Sequence, residues 1–116
     1  MRYALLKFFR TSFVVPFAET DDERSVGMSQ HESAPEGTGM LFRVRGRNSF
    51  TMQPMKINLD MVWINSNGVV IKVNRNLLAG RVDLVKPPPG ARLMLEVGAG
   101  QAASIKAGSL VQMRMS

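Results

Sequence analysis

Short runs in which apolar and polar residues alternate recur along the whole chain, and this pattern predicts strands rather than helices. Gly- and Pro-rich segments separate the runs, and Pro87-Pro88-Pro89-Gly90 cannot donate to a strand ladder. The predicted strands are Met40 to Val44, Ser49 to Met52, Leu59 to Ile64, Val69 to Val73, Leu93 to Val97 and Leu110 to Met115, with a possible edge strand from Arg81 to Val85. Short strands between such turns predict an all-β sandwich or barrel.

The first residues also alternate, from Tyr3 to Phe9, and predict a strand that turns back into Phe13-Val14-Val15 as a hairpin. The same opening resembles a signal peptide, but Lys7 and Arg10 interrupt it and no Ala-x-Ala cleavage site follows. We expect one domain over residues 1–116. Residues 1–12 form its N-terminal strand or a partly disordered extension, and residues 13–116 form its core.

Helix signals are brief. Thr20 and Glu23 have the spacing of a capping box, which predicts a short helix that stops at Gly27. A second short helical turn is predicted from Gln101 to Lys106. Hairpin turns are predicted at the arginine-rich segment after Val44 and at Asn65-Ser66-Asn67-Gly68.

The composition is that of an ordinary soluble globular protein, with 116 residues, 45% apolar positions and no cysteine. The lack of cysteine excludes a disulfide scaffold, a thiolate metal site and a cysteine nucleophile. Because no apolar run approaches the roughly 20 residues needed to span a bilayer, no transmembrane segment is expected. We expect a cytoplasmic protein from the chain as written, with the periplasm as the alternative.

The net charge of +6 is unevenly distributed, since six of the nine acids precede Gly37 and eleven Lys and Arg follow it. The densest cluster is Arg43, Arg45 and Arg47, which suits either a solvated hairpin tip or a patch for an anionic polymer. We favour the solvated turn over nucleic-acid binding. The oligomeric state is left open.

Few residues support catalysis or metal binding. The only histidine, His31, lies in a polar loop with nothing to orient it, so a catalytic triad is not favoured. One His without Cys leaves only carboxylates as metal ligands, so we predict no metal and no cofactor. The nine methionines, among them Met52, Met55 and Met61, are interpreted as flexible core filler rather than as soft-metal ligands.

Asp60 and Glu96 are the acids of greatest interest, because each stands in an apolar strand where an unpaired charge is costly. If both face one pocket, they could bind a hydroxyl-rich or cationic ligand, or act as a general acid and base in a glycoside-type hydrolysis. The alternative is that each pairs with a cation such as Arg24, Lys72 or Arg92 and only stabilises the fold.

Several blocks of the chain resemble, in order and spacing, those of the domain-of-unknown-function 192 family. The blocks are Glu23-Arg24-Ser25-Val26-Gly27-Met28, Gly39-Met40-Leu41-Phe42, Phe50-Thr51-Met52, Leu59-Asp60-Met61-Val62-Trp63-Ile64-Asn65, Gly68-Val69-Val70, and Leu95-Glu96-Val97 with Ala99-Gly100. The resemblance implies a jelly-roll-like sandwich with one or two short helices, a prokaryotic or phage setting, and frequent export among relatives. It implies no known reaction.

The chain departs from the pattern of the family it resembles at Ser29, His31, Thr51, Gln53-Pro54 and Asn58. Relatives usually carry Met, Arg, Trp, Lys-Asn and Pro at these positions, so a pocket lined by those groups would be altered here.

We therefore expect a binding module for a small-molecule or carbohydrate-like ligand rather than an enzyme. The predicted ligand site is one shallow pocket formed by Asp60, Glu96, Met52 and Gln53. The alternatives are a hydrolase that uses Asp60 and Glu96, and a basic adaptor for an anionic polymer.

Overall fold

The computed structural model describes residues 2–46 and 48–116, and within these it contains seven strands and one short helix. The elements are β1 (Tyr3–Lys7), β2 (Ser12–Ala18), α1 (Asp21–Val26), β3 (Gly39–Arg43), β4 (Leu59–Ile64), β5 (Val70–Leu77), β6 (Leu93–Gly98) and β7 (Gln112–Met115). The all-β prediction is confirmed. No helix of the described ranges has the length and apolar content that crossing a membrane requires.

All seven strands belong to one sheet, in the order β5-β4-β6-β3-β2-β1-β7. Every neighbouring pair is antiparallel except β2 and β3. The two ends of the sheet meet through a bridge between Val69 and Leu110, and Val111 N–H donates to the carbonyl of Gly68 over 2.9 Å. The sheet therefore curls towards a closed barrel, while the jelly-roll connection implied by the resemblance stays a prediction.

Apolar side chains fill both faces of the central strands. The inner core includes Phe13, Val15, Leu41, Val62 and Leu95. The outer core contains six methionines with Phe42 and Trp63; these methionines are Met28, Met40, Met52, Met55, Met61 and Met94. Because β4 is buried at every position and β6 at all but its first, these strands do not alternate between apolar and polar residues.

Local sequence signals predict several elements correctly. Thr20 Oγ1 accepts from the Glu23 N–H over 3.0 Å, and Glu23 Oε1 accepts from the Thr20 N–H over 2.9 Å, so the capping box begins α1 as predicted. The β1–β2 and β4–β5 hairpins are also confirmed.

The predicted hairpin of Met40 to Val44 with Ser49 to Met52 is wrong. Both edges of β3 are already occupied, by β2 and β6, so the chain after β3 cannot add a strand there. Its described residues instead cross the outer core, and an isolated bridge joins Phe50 to Val85. This crossing segment, residues 44–46 and 48–58, forms one wall of the cavity described below.

The predicted helical turn from Gln101 to Lys106 is also wrong, because this segment forms consecutive turns. Its backbone is held from outside: Ala102 N–H donates to the carboxylate of Asp60 over 3.3 Å, and the Arg75 guanidinium donates to the carbonyls of Ala102 and Ile105. Long-range polar contacts of this kind leave no periodic signal in the local sequence.

Candidate functional site

Glu96 lies in the middle of β6 and projects into the outer, methionine-rich core. Its direct neighbours across the sheet are Met40 of β3 and Met61 of β4, so apolar thioether chains flank it on both sides. The residue is only 2% exposed. Among the described residues no hydrogen-bond donor reaches its Oε1 atom, which is buried. Buried polar atoms normally have a partner, so this oxygen is an exception that calls for an explanation.

Burial raises the pKa of Glu96 from 4.5 to about 8. The cause is the loss of solvent around the carboxyl group, which disfavours the charged form. Glu96 is therefore mostly protonated and neutral at pH 7, and it can donate or accept a hydrogen bond. A raised pKa in a residue that borders a cavity is typical of functional sites.

A cavity of about 380 Å³ opens beside Glu96 between α1, β3 and the crossing segment. We call it the Glu96 cavity. Its lining residues are Asp21, Arg24, Ser25, Gly27, Phe42, Arg43, Asn48, Ser49, Phe50, Thr51, Pro54, Met55 and Glu96. The lining thus combines one buried carboxyl group, aromatic and thioether side chains, and polar groups from α1 and the crossing segment.

The aromatic part of the wall is held by its packing. The Phe42 and Phe50 rings lie 5.7 Å apart between centres in an edge-to-face arrangement, and Phe50 packs against Trp63 in the same way at 5.6 Å. Such pairs contribute stability beyond their buried area. The rings at the cavity are therefore fixed by the outer core behind them.

Two glycines allow the backbone to come close to Glu96. A Cβ atom on Gly39 would lie 2.2 Å from the Glu96 carbonyl oxygen, so only glycine permits β3 and β6 to pair here. Gly27 ends α1 with a φ of +50°. A Cβ atom on Gly27 would lie 3.7 Å from Glu96 Oε1 and 3.4 Å from the Phe42 ring, so its absence keeps space open beside the carboxyl group.

Asp60 has a different environment. Its carboxylate accepts from the N–H groups of Asn76 (2.8 Å), Gly100 (2.9 Å) and Ala102 (3.3 Å). It thereby fixes Asn76, which has a φ of +51° in a bulged part of β5, and the turn after β6. These bonds satisfy Asp60 within the protein, which indicates a role in stabilising the fold.

The prediction that Asp60 and Glu96 share one pocket is wrong. Asp60 lies opposite Val97, whereas Glu96 lies opposite Met61, so the two carboxyl groups project from opposite faces of the sheet. The open cavity beside Asp60 is bordered by Arg75, Asn76 and Gly100 and does not include Glu96 among its described lining residues.

The other two residues of the predicted site also fall outside the Glu96 cavity as far as the described lining goes. Met52 is fully buried in the outer core, and Gln53 is exposed. Their neighbours Thr51 and Pro54 line the cavity instead. Ligand binding at any of the four predicted residues stays a prediction.

Arg43 and Arg45 do not lie at the tip of the predicted hairpin, since both edges of β3 pair with other strands. Arg43 ends β3, and its guanidinium lies 5.6 Å from the centre of the Phe17 ring. Arg45 is exposed in the segment that follows, and Arg47 lies outside the described residues. Anion binding by this cluster stays a prediction.

The described ranges contain no group of three or more His, Cys, Asp or Glu side chains placed to hold a metal ion. His31 has its N–H bonded to the carbonyl of Met28, in the turn that follows α1. It is not one of the residues lining the Glu96 cavity.

Sequence reasoning found Glu96 but missed Gly27, Phe42 and Phe50 as its neighbours. The signal for Glu96 was local, a charged residue inside an apolar strand. The neighbours come from three separate parts of the chain, and the sequence pattern did not show that the crossing segment passes over the outer core. Gly27, Phe42 and Phe50 belong to the blocks that resemble the family, and this resemblance was the sequence signal that could have identified them.

Comparison with known proteins supports this description of the fold. The model of the DUF192 family, described as an uncharacterised conserved region, matches residues 6–113. A search of curated proteins gives no significant match.

Two solved structures are similar over nearly the whole chain. One is a proposed transcription regulator from Sinorhizobium meliloti 1021, with a TM-score of 0.84, 18% identity, and coverage of 97% of this chain and 94% of the other. The second is a protein of unknown function from Novosphingobium aromaticivorans, with a TM-score of 0.82, 21% identity, and coverage of 95% and 83%. At these identities the likeness concerns the fold alone.

Proposed function

The chain belongs to the DUF192 family, which supplies no reaction, and from this premise we propose that it binds a small polar molecule in the Glu96 cavity. The observation that carries the proposal is Glu96 Oε1, a buried oxygen at the cavity to which no described residue donates. A ligand with a hydroxyl, amide or amine group would supply the missing hydrogen bond.

The free-energy cost of an unpaired buried oxygen favours the binding of a ligand that donates a hydrogen bond to it. A buried polar group without a hydrogen bond destabilises a protein by about 1–3 kcal/mol. A ligand that donates to Oε1 recovers that cost on binding, in addition to the apolar contacts that it makes with Phe42, Phe50 and Met55. The described residues leave this oxygen without a donor, and a ligand in the cavity would supply one.

The size and lining of the cavity indicate a small ligand. Its volume of about 380 Å³ lies at the lower end of the usual range for ligand pockets. Ser25, Asn48, Ser49 and Thr51 add polar groups to the lining. The combination suits a molecule with an apolar or ring portion and one or more hydroxyl or nitrogen donors, including carbohydrate-like molecules.

The arrangement supports binding better than carboxylate-pair hydrolysis. Such hydrolysis needs two carboxyl groups on either side of one bond. Asp60 projects from the other face of the sheet, and Asp21, the second carboxylate at the Glu96 cavity, is ion-paired with Arg24 and 91% exposed.

The proposal can be tested by nuclear magnetic resonance with a library of small polar fragments. We expect bound fragments to shift the amide signals of Gly27, Phe50 and Glu96. Ser25→Trp places a large ring at an exposed position of the lining and should abolish these shifts. Ser33→Trp, at an exposed position that is not part of the lining, is the matched control and should preserve them.

The proposal fails if fragments leave these three amide signals unchanged. It also fails if the fragments instead shift signals around the proline-rich cavity formed by residues 86–92, or if Ser25→Trp leaves binding at full strength.

A further inference from the structure

Building on the proposed function, we propose that the ligand of the Glu96 cavity carries a protonated amine, which pairs with the Glu96 carboxylate while the Glu96 proton leaves to solvent. The amine keeps its own proton and positive charge, and the carboxyl group becomes a carboxylate. One proton is thus released to the buffer for each ligand bound by a protonated Glu96.

The first argument is that the Glu96 carboxyl group has no ion-pair partner among the described residues, although Arg24 and Arg43 line the same cavity. Arg24 is already paired with Asp21, and the Arg43 guanidinium lies against the Phe17 ring. Burial raises the pKa of Glu96, and no neighbouring charge contributes to the shift. A ligand cation would supply the countercharge to a carboxylate that the described residues leave without an ion-pair partner.

The second argument comes from the walls of the cavity. Phe42 and Phe50 both line it, so a ligand with an apolar portion can pack against them while its polar group reaches Glu96. A neutral hydroxyl donor would satisfy Oε1, but a cation would form a charge-assisted hydrogen bond with the carboxylate, which is about twice as strong as a neutral one. The lining therefore favours an amine over an alcohol or an amide.

The cost of ionising Glu96 is small compared with these gains. A group with a pKa of about 8 is about nine-tenths protonated at pH 7, so its deprotonation lowers the apparent affinity for a cation only about tenfold. The other titratable groups that border the cavity are Asp21 and Arg24 from α1 and Arg43 from β3. Burial raises the pKa of Glu96 to about 8, so Glu96 is the group expected to release a proton upon binding near pH 7.

Benzylamine and benzyl alcohol provide a test, because they share a ring and differ in the charged group. Titration calorimetry at pH 7 in two buffers of different ionisation enthalpy measures the protons released on binding. We expect about 0.9 proton per benzylamine and none for benzyl alcohol. We also expect the benzylamine affinity to rise about fivefold between pH 7 and pH 8, as the carboxylate fraction grows from about one-tenth to one-half.

One variant separates the effect of the charge from that of the hydrogen bond, and a second variant is the control. Glu96→Gln keeps the size of the side chain but cannot ionise, so it should weaken benzylamine binding at least tenfold and abolish proton release. It should leave benzyl alcohol binding within about twofold. Glu36→Gln changes an exposed acid outside the cavity lining and should behave as the unchanged protein does.

The outcomes distinguish this inference from the proposed function. If benzylamine binds in the cavity without proton release, or if neutral or anionic fragments bind there and benzylamine does not, the amine inference is wrong and the proposed function stands. If no molecule of any class shifts the amide signals of Gly27, Phe50 and Glu96, both are wrong.

Discussion

Asp60 and Glu96 are both acidic residues inside apolar strands, yet their carboxyl groups meet opposite environments. Asp60 accepts three backbone N–H groups, whereas Glu96 lies between Met40 and Met61 with a buried oxygen to which no described residue donates. The first is stabilised in the folded protein, and the second is destabilised when charged. Their substitution should therefore change stability in different ways, by a loss for Asp60 and by a change of pH dependence for Glu96.

Replacing Glu96 by Gln should remove a pH dependence from the stability of the protein. The folded pKa of about 8 lies above the unfolded value of 4.5, so the folded state holds the proton more tightly. The stability that this provides is complete below about pH 4.5 and is lost as the pH rises to about 8, at about 1.4 kcal/mol for each pH unit. The unfolding free energy of the unchanged protein should fall relative to Glu96→Gln by on the order of 4 kcal/mol across this window.

Urea unfolding of both proteins at pH 5 and pH 8.5 measures this difference. Glu36→Gln, at an exposed acid, serves as the control and should follow the unchanged protein at both pH values. A gap between Glu96→Gln and the unchanged protein that stays constant with pH would show that Glu96 is ionised in the folded state.

Replacing Asp60 by Asn should destabilise the protein by about 2 kcal/mol at pH 7. The amide group of Asn presents a donor where the carboxylate accepted from Asn76, Gly100 or Ala102, so one backbone N–H loses its partner. Asp83→Asn, at an exposed aspartate, should change stability by less than about 0.5 kcal/mol. Equal denaturation midpoints for the two variants would contradict a structural role for Asp60.

The sequence identified both acids as unusual but not the environment of either. In an alternating strand, the polar positions show which face meets solvent. Leu59 to Ile64 of β4 are all buried, so β4 lacks the alternation of buried and exposed residues that would have shown which face of the sheet Asp60 occupies. The strand register, which pairs Asp60 with Val97, shows that the side chains of Asp60 and Glu96 lie on opposite faces of the sheet.

At the scale of elements, the pairing of β3 with β6 fixes the position of Glu96 beside the cavity. Gly39 pairs with Val97, and Met40 pairs with Glu96 itself. Because the backbones approach so closely at Gly39, any side chain there must push β3 away from β6. The Gly-Met-Leu-Phe block thus has a steric reason for its first residue.

Gly39→Ala should therefore destabilise the protein by at least about 3 kcal/mol or prevent folding, since the new Cβ would lie 2.2 Å from the Glu96 carbonyl oxygen. Gly108→Ala is the comparison, because Gly108 has a φ of +95° but open space around it, and its cost is backbone strain of about 1 kcal/mol. Thermal unfolding followed by circular dichroism measures both. Similar melting temperatures would contradict the close approach of β3 and β6.

Elements with local signals were predictable, and elements held by distant contacts were not. The capping box of Thr20 and Glu23 predicted α1, and Asn65 to Gly68 predicted the β4–β5 turn. The segment from Gln101 to Lys106 failed as a helix because Asp60 and Arg75, far away in sequence, hold its N–H and carbonyl groups. The path of the crossing segment over the outer core depends likewise on tertiary packing.

At the scale of the whole molecule, the two faces of the barrel-like sheet carry different features. The inner core and the Asp60 network hold the strands together, while the outer core carries the Glu96 cavity. The all-β class followed from strand and turn patterns alone. The position of the cavity did not, because it depends on which strands are central and on what covers their outer face.

The basic character of the chain gives a prediction at this scale. If the charge only solvates the molecule, the protein should form no salt-sensitive complex with single-stranded RNA or duplex DNA at physiological salt. Fluorescence anisotropy against salt concentration measures this. A salt-sensitive affinity that disappears when Arg43, Arg45 and Arg47 are all replaced by Ser would favour the adaptor for an anionic polymer instead.

In the account proposed above, Glu96 is a neutral carboxyl group at an open cavity and becomes a carboxylate when a cationic ligand binds. Carbon-13 nuclear magnetic resonance of its side-chain carboxyl group, titrated with and without saturating benzylamine, tests this claim most directly. We predict a midpoint of about 8 for the free protein and a markedly lower midpoint with the amine bound. A free-protein midpoint at the ordinary value of 4.5, unchanged by benzylamine, would contradict the account.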